Sequence, residues 1–284
     1  MEFSSSSNKK VAVVTGSSTG IGYETSLILA RSGFLTYATM RNLNKSENMK
    51  SVATREKLPI RIKQLDVTDD VSVKNAIQTI TSEAGRIDIL VNNAGYGLNG
   101  AFEDLDMDEI KAQYETNLFG LIRTTQAVLP IMRRQKSGTI VNISSGAGRF
   151  GFPTGSAYVS TKFAVEGLSE SMSYELEPFG INVVIVEPGV IRSNFGDGSI
   201  VAKKSRDPNS PYSQMMQRSA AGFEKMIKNA SSPDVVAKVV LDAIRDENPS
   251  LRYLAGSDVE SWLGGKRKEA DEEFYKMMKQ NMIM

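Results

Sequence analysis

The 284-residue chain sets 34 Lys plus Arg against 33 Asp plus Glu, and a net charge of +1 is too small to draw it to nucleic acid or an anionic membrane. With no cysteine it has no disulfide or thiolate chemistry, which suits a reducing cytoplasm; with no histidine it lacks Ser-His-Asp catalysis and histidine metal sites. Acid-base work therefore falls to Tyr, Lys, Asp or Glu and no metal is called for. No apolar run approaches the roughly 20 residues of a membrane span. Residues 1–8 read as a disordered tail ahead of one domain over 9–284.

The first ordered stretch, Lys10 to Thr15, is a continuous apolar run rich in β-branched residues. It ends in Gly16-Ser17-Ser18-Thr19-Gly20-Ile21-Gly22 and then the helical pattern Ile21, Thr25, Ile28, Leu29. Strand, glycine turn, helix is the order of a buried parallel strand. Three glycines there let backbone amides and a helix N-terminus approach a pyrophosphate, although their spacing is not Gly-x-Gly-x-x-Gly and a plain tight turn is the alternative. A second strand over 34–39 leads to Met40-Arg41-Asn42. An acidic residue at this place would bind a ribose 2′-hydroxyl and an arginine accommodates a 2′-phosphate, so Arg41 favours NADP(H) over NAD(H), unless it is only a polar loop residue. Residues 44–57 read as a helix and 60–65 as a third strand ending at Asp66-Val67. Asp66 is placed to accept from an adenine amino group; equally, Asp66 or Asp69 is the N-cap of a helix over 70–84.

A fourth strand over 87–91 runs into Asn92-Asn93-Ala94-Gly95, small and amide residues that either line a cofactor channel or tie strands together. A long helix over 107–134 carries Asn117 in its interior, an indifferent helix former whose place there implies a task or a buried hydrogen bond. The strand over 138–143 delivers Ser144 and Ser145 to its carboxyl end, and Tyr158 follows thirteen residues after Ser145. Tyr158 and Lys162, four apart at the head of a helix over 157–177, share one helix face. A neighbouring ammonium favours phenolate, so the pair can make an acid or base that works near neutral pH. A strand over 181–186 ends in Glu187-Pro188-Gly189. Strands alternating with helices specify an α/β Rossmann fold: a doubly wound parallel sheet of about seven strands with helices on both faces.

Residues 190–212 carry Gly196, Gly198, Pro208 and Pro211 with no period, and read as a lid or disordered loop within a substrate-binding stretch over 190–230. Phe150, Phe152, Phe195, Tyr212, Met215 and Met216 make an apolar pocket with Tyr96 and Leu98, or are core. Helices over 213–229 and 233–246, a strand over 251–254 and a C-terminal helix within 257–284 complete the chain.

Taken jointly, Thr15-Gly16-x-x-x-Gly20-Ile21-Gly22, Asp66, Asn92 to Gly95, Asn117, Ser145, Tyr158-x-x-x-Lys162 and Pro188-Gly189 resemble the short-chain dehydrogenase/reductase family in its compact single-domain form, over residues 9–195. Tyr37 to Arg41, with Trp262 to Arg267 and Asp271 to Phe274, looks most similar to its NADP-preferring 17β-hydroxysteroid and retinol dehydrogenase branch. The resemblance implies hydride transfer between NADP(H) and a ketone or alcohol, apolar in the manner of a steroid, retinoid or lipid. It implies Tyr158 as acid or base and Lys162 as the group that lowers the phenol pKa and holds the nicotinamide ribose. Ser145 orients the carbonyl, and Asn117 anchors a water beside Lys162. Cofactor contacts carried over are Gly16, Ser18, Thr19, Gly20, Ile21, Gly22, Arg41, Asp66, Val67, Asn93, Ala94, Gly95, Tyr158, Lys162, Pro188, Gly189, Ile191 and Ser193, the last standing where threonine is common. A homodimer or homotetramer through the helices over 107–134 and 157–177 is implied as well. The competing reading is a binding protein that senses NADPH without turnover; an epimerase or dehydratase fits the glycine spacing less well.

Overall fold

A computed structural model describes residues 9–192 and 200–268, together with 273, 276, 277 and 280. The tail over 1–8, and Ser193, Phe195, Gly196 and Gly198, lie outside the described residues. Among the described residues no helix is long and apolar enough to cross a membrane.

Seven parallel strands form the main sheet: β1 (Val11–Val14), β2 (Leu35–Met40), β3 (Ile60–Gln64), β4 (Ile89–Asn92), β6 (Gly138–Ile143), β7 (Ile181–Pro188) and β9 (Arg252–Ala255). β5 (Leu98–Asn99) and β8 (Ile200–Val201) pair apart from it. The spatial order is β3-β2-β1-β4-β6-β7-β9, so the chain winds outward from β1 to one edge and returns from β4 to the other. This order confirms the doubly wound sheet expected from the alternating pattern.

β1, at the centre of the sheet, is apolar and buried at all its positions, and the side-chain period of two sorts them between the faces. Val11 and Val13 of β1 pack with Ile77 and Ile80 of α3 (Asp70–Ala84) and Val128 and Met132 of α5 (Gly120–Gln135). Ala12 and Val14 face the opposite way, against Leu29 of α1 (Gly20–Arg31) and Val236 and Val240 of α8 (Pro233–Arg245). Each such fully buried branched side chain contributes about 1.5–3 kcal/mol relative to exposure, so neither face tolerates a slip of register. The remaining helices are α2 (Glu47–Arg55), α4 (Met107–Tyr114), α6 (Ser156–Leu176), α7 (Ser213–Lys228) and α9 (Ser257–Lys268).

Two expectations change. The single helix over 107–134 is α4 and α5 joined by a π-helical turn, Glu115–Phe119, with Asn117 inside it. The stretch over 200–212 is a pinned wall. Leu98 pairs with Ile200, and the Ser205 and Ser210 hydroxyls donate to Asp104 Oδ2 at 3.0 and 2.9 Å. Lys204 Nζ donates to Asp106 and the Tyr212 hydroxyl to Glu103, both at 2.6 Å. Three hydroxyls and one lysine of the stretch that reads as a loop in sequence are the pins.

Candidate active site

The site lies at the carboxyl ends of β1, β4, β6 and β7, around the point where the winding reverses. After β1 the backbone turns through Gly16 at φ 67° and Gly20 at φ 61°, a left-handed region that favours glycine. A Cβ on Gly22 would lie 2.4 Å from Asn93 Nδ2 and 2.5 Å from Gly16 O, so the helix start presses against its own turn. Thr19, the N-cap of α1, makes no side-chain cap bond, and the first turn holds no acidic residue. An uncapped helix N-terminus behind two left-handed glycines fits the pyrophosphate of a dinucleotide. Ser18 and Ile21 belong to this turn. Arg41 follows β2 exposed, and among the described residues its guanidinium has no ion-pair partner; its carbonyl accepts from Gln64 Nε2 at 3.3 Å.

Asp66 is not a helix cap. Its Oδ1 accepts from the Thr68 N–H at 3.0 Å and hydroxyl at 2.8 Å, and Asp69 caps α3. Val67 packs tightly on Gly120, where a Cβ would lie 2.7 Å from it, and its carbonyl accepts from Arg123 at 2.6 Å. Of the two uses open to the amides after β4, tying dominates. Asn93 Nδ2 donates to the Thr15 and Gly16 carbonyls at 2.9 and 3.1 Å, and the Asn93 and Ala94 N–H groups both donate to Thr15 Oγ1. Asn92 donates to Asn142 Oδ1 at 2.9 Å, and Asn142 in turn to the Ser169 hydroxyl at 2.8 Å, binding β4 to β6 and α6 through buried amides.

Asn117 spends its amide in the same manner. Its Oδ1 accepts from the Tyr96 N–H at 3.0 Å, and its Nδ2 donates to the Tyr96 carbonyl at 2.9 Å and to Thr161 Oγ1 at 3.3 Å. Gly95 makes room for it, since a Cβ there would lie 3.1 Å from Asn117 Oδ1. The π turn brings this amide to the strand end and to the helix of Tyr158 and Lys162.

Ser145 leaves β6 in extended conformation and caps a short 3-10 turn, Gly146–Gly148, its Oγ accepting from Ala147 N–H at 3.1 Å. The Ser145 hydroxyl donates to the Pro188 carbonyl at 3.5 Å and lies near enough to the Tyr158 phenol to favour its ionised form. Burial pushes the Tyr158 phenol up to about 12, with Ser145 pulling the other way. Lys162 is buried, donates to the Ile143 carbonyl at 2.8 Å and sits with Nζ 5.7 Å from the Tyr158 ring centroid. Burial pulls its ammonium down to about 8, against the carboxylate of Glu166. Here the expected order of effects is reversed: desolvation of the phenol outweighs the lysine, whose charge is turned to a carbonyl.

Beneath lies a charged layer that sequence reasoning missed. Arg149 donates to the buried Glu187 at 2.8 Å, and Arg252 to Glu166 at 2.9 Å and Glu170 at 2.6 Å. Burial raises the Glu187 carboxyl above the usual range while Arg149 opposes it. These partners come from β7, β9, α6 and the turn after β6, and no local pattern marks them. Pro188, Gly189 and Ile191 continue β7 into a loop tied to Ser231 through Arg192 N–H at 2.8 Å. Four of the apolar residues grouped as one pocket fall into two clusters. Phe150 and Phe152 join Val259, Leu263 and Trp262, and Tyr96 and Leu98 pack with Leu105, Ala157 and Ala202. Tyr212 turns its hydroxyl to Glu103.

This constellation is that of a nicotinamide-dependent oxidoreductase, and comparison with known proteins agrees. The family profile described as short chain dehydrogenase matches residues 10–203. The chain is 36% identical over 261 residues to a 3-ketodihydrosphingosine reductase of Bacteroides thetaiotaomicron, covering 89% of this chain and 93% of that one. It is 35% identical over 255 residues to human 17-beta-hydroxysteroid dehydrogenase type 1, covering 87% and 77%. A solved short-chain dehydrogenase from Streptomyces avermitilis superposes with a TM-score of 0.82 at 32% identity, covering 96% of this chain and 97% of that one. The protein belongs to the short-chain dehydrogenase/reductase family. It is an oxidoreductase of CH–OH and C=O groups, which sets aside the reading as a sensor without turnover.

Proposed function

We propose that the protein is an NADP(H)-dependent carbonyl reductase for an apolar ketone, with Tyr158 as the proton donor. The observation that carries this reading is the placing of Tyr158 with Lys162, its Nζ 5.7 Å from the ring, beside Ser145 at the carboxyl end of β6; burial raises the phenol, which is protonated at neutral pH. A protonated phenol is the acid that reduction of a carbonyl requires, whereas alcohol oxidation needs the phenolate. Bound at the glycine turn, the cofactor supplies the hydride. Ser145 holds the carbonyl oxygen and stabilises the charge growing there, and Tyr158 gives that oxygen its proton. Lys162, with a proton available near neutral pH, restores it to Tyr158 and holds the nicotinamide ribose. The Asn117 amide is committed to the Tyr96 main chain, so its side chain positions the π turn rather than a water beside Lys162.

The NADP(H) preference rests on Arg41, exposed at the end of β2 and without an ion-pair partner among the described residues. The apolar substrate class is supported by the Phe150 cluster in the turn after Ser145 and the Leu98 cluster that includes Ala157, next to Tyr158 in the chain, and by relatives named for a ketosphingoid and a steroid. A single catalytic domain in the cytoplasm belongs to the same reading. So does a homo-oligomer through α5 and α6, which the exposed Phe119, Phe163 and Tyr174 support.

The test is a panel of steroid, long-chain and small ketones followed by NADPH absorbance across pH. Turnover of apolar ketones is expected, with kcat for reduction falling as the pH rises through about 8, where Lys162 loses its proton. NADPH binding without turnover of any carbonyl would sink the proposal.

A further inference from the structure

The first turn of α9 lies beyond the residues matched by the family profile, yet it touches two loops of the site. Asp258 Oδ2 accepts from the Val190 N–H at 2.7 Å, just after Pro188-Gly189. Its other oxygen, Oδ1, is buried and has no hydrogen-bond partner among the described residues. Glycines make way for this carboxylate on both sides. A Cβ on Gly189 would lie 2.1 Å from Oδ1, and one on Gly256, at φ 124°, would lie 2.7 Å from it. The next residue, Val259, is fully buried, and its Cγ2 would lie 2.9 Å from a Cβ on Gly146, in the turn that follows Ser145. Val259 also packs with Phe150 and Leu263.

Burying a carboxylate with one oxygen unpartnered is costly, and an asparagine could make the Val190 bond without the charge. A charge-assisted bond to a backbone amide is shorter and stronger than a neutral one and holds a loop more firmly. Two neighbouring residues of one helical turn thus grip two loops that come from different strands. We propose that Asp258 is a positioning residue that, together with Val259, fixes the spacing between the Gly189–Ile191 loop at the nicotinamide end of the cofactor and the Ser145 turn that holds the carbonyl. This inference rests on the reading of those loops given above. Its consequence is geometric: hydride transfer depends on a near-attack distance, and a shift of about 1 Å between donor and carbonyl costs on the order of a hundredfold in rate.

The experiment measures the NADPH dissociation constant by fluorescence titration without carbonyl, then kcat and the melting temperature, for Asp258→Ala, Asp258→Asn and Val259→Ala. Asp258→Ala is expected to weaken NADPH about tenfold. Asp258→Asn, which keeps an acceptor but not the charge, is expected to weaken it about threefold. Val259→Ala, which loosens only the Ser145 turn, is expected to leave NADPH binding unchanged and lower kcat several-fold. A purely structural role would lower the melting temperature in all three and leave NADPH affinity in the folded Asp258 variants at the wild-type value, which overturns the proposal. Should Asp258→Ala fail to fold, Asp258→Asn decides by the same criterion. A wild-type chain that bound neither NADPH nor NADH would instead remove the underlying reading of the loop as a cofactor site.

Discussion

The proposed dinucleotide end and the proposed carbonyl end of this site are built by different means. At the dinucleotide end the backbone does the shaping. Two left-handed glycines bend the chain, and Thr15 and Asn93, 78 residues apart, exchange hydrogen bonds that include main-chain groups. At the carbonyl end side chains do it, with Asp104, Asp106 and Glu103 pinning residues 204–212 while Asp258 and Val259 reach in from α9. Even the backbone there is less relaxed: Thr154, a β-branched residue, sits at φ 63° between β6 and α6, its carbonyl bound by Gly100 N–H and its hydroxyl by Ser219.

The sharpest way to separate the ends is to remove the proton donor alone. Tyr158→Phe is expected to lower kcat at least about a hundredfold while NADPH binds as before, since the phenol meets the carbonyl and the ring is kept. Titration of the variant with NADPH alongside turnover checks both halves. Wild-type-like turnover would remove Tyr158 from the chemistry. A smaller effect is expected at the opposite end. Arg41→Asp exchanges an exposed cation for the carboxylate that suits a ribose 2′-hydroxyl, and should move the NADPH to NADH ratio of kcat/KM by about tenfold or more toward NADH. An unchanged ratio would place cofactor choice in other residues and weaken the view that this end is set at β2.

The same division explains what could be read from sequence. Strand runs such as Val11 to Val14 and Val183 to Val186 declare themselves because a strand buried on both faces reads as a nearly continuous apolar run, and the glycine turn because its residues are consecutive. Tyr158 and Lys162 were legible as a helix-face pair, and Ser145 as the end of β6. Their energetics were not, because the reversal between phenol and lysine depends on burial and on the Ile143 carbonyl, neither of which a spacing contains. Nor was the π turn at Asn117, whose cause is an amide matching the main chain of Tyr96, 21 residues away in sequence. The pins of the carbonyl end stayed hidden for a plainer reason. Asp104 and Ser205 are each ordinary surface residue types, and only the pairing of β5 with β8 brings them together.

The smallest expected effect tests that last pairing. Asp104 is buried, and one of its oxygens accepts from both Ser205 and Ser210, while Ser205 Oγ also receives the Ala101 N–H at 3.2 Å. Asp104→Ala leaves two hydroxyls without their acceptor, at about 1–3 kcal/mol for buried groups left unpaired. That strain falls on the wall of Leu98 and Ala202, which abuts Ala157 next to Tyr158, and not on the glycine turn. KM for an apolar ketone should therefore rise a few-fold while the NADPH dissociation constant stays put; Asp104→Asn, which keeps an acceptor oxygen, should lie close to wild type. Equal losses in ketone and NADPH binding would mean that the two ends are mechanically one, and the division drawn here would not hold.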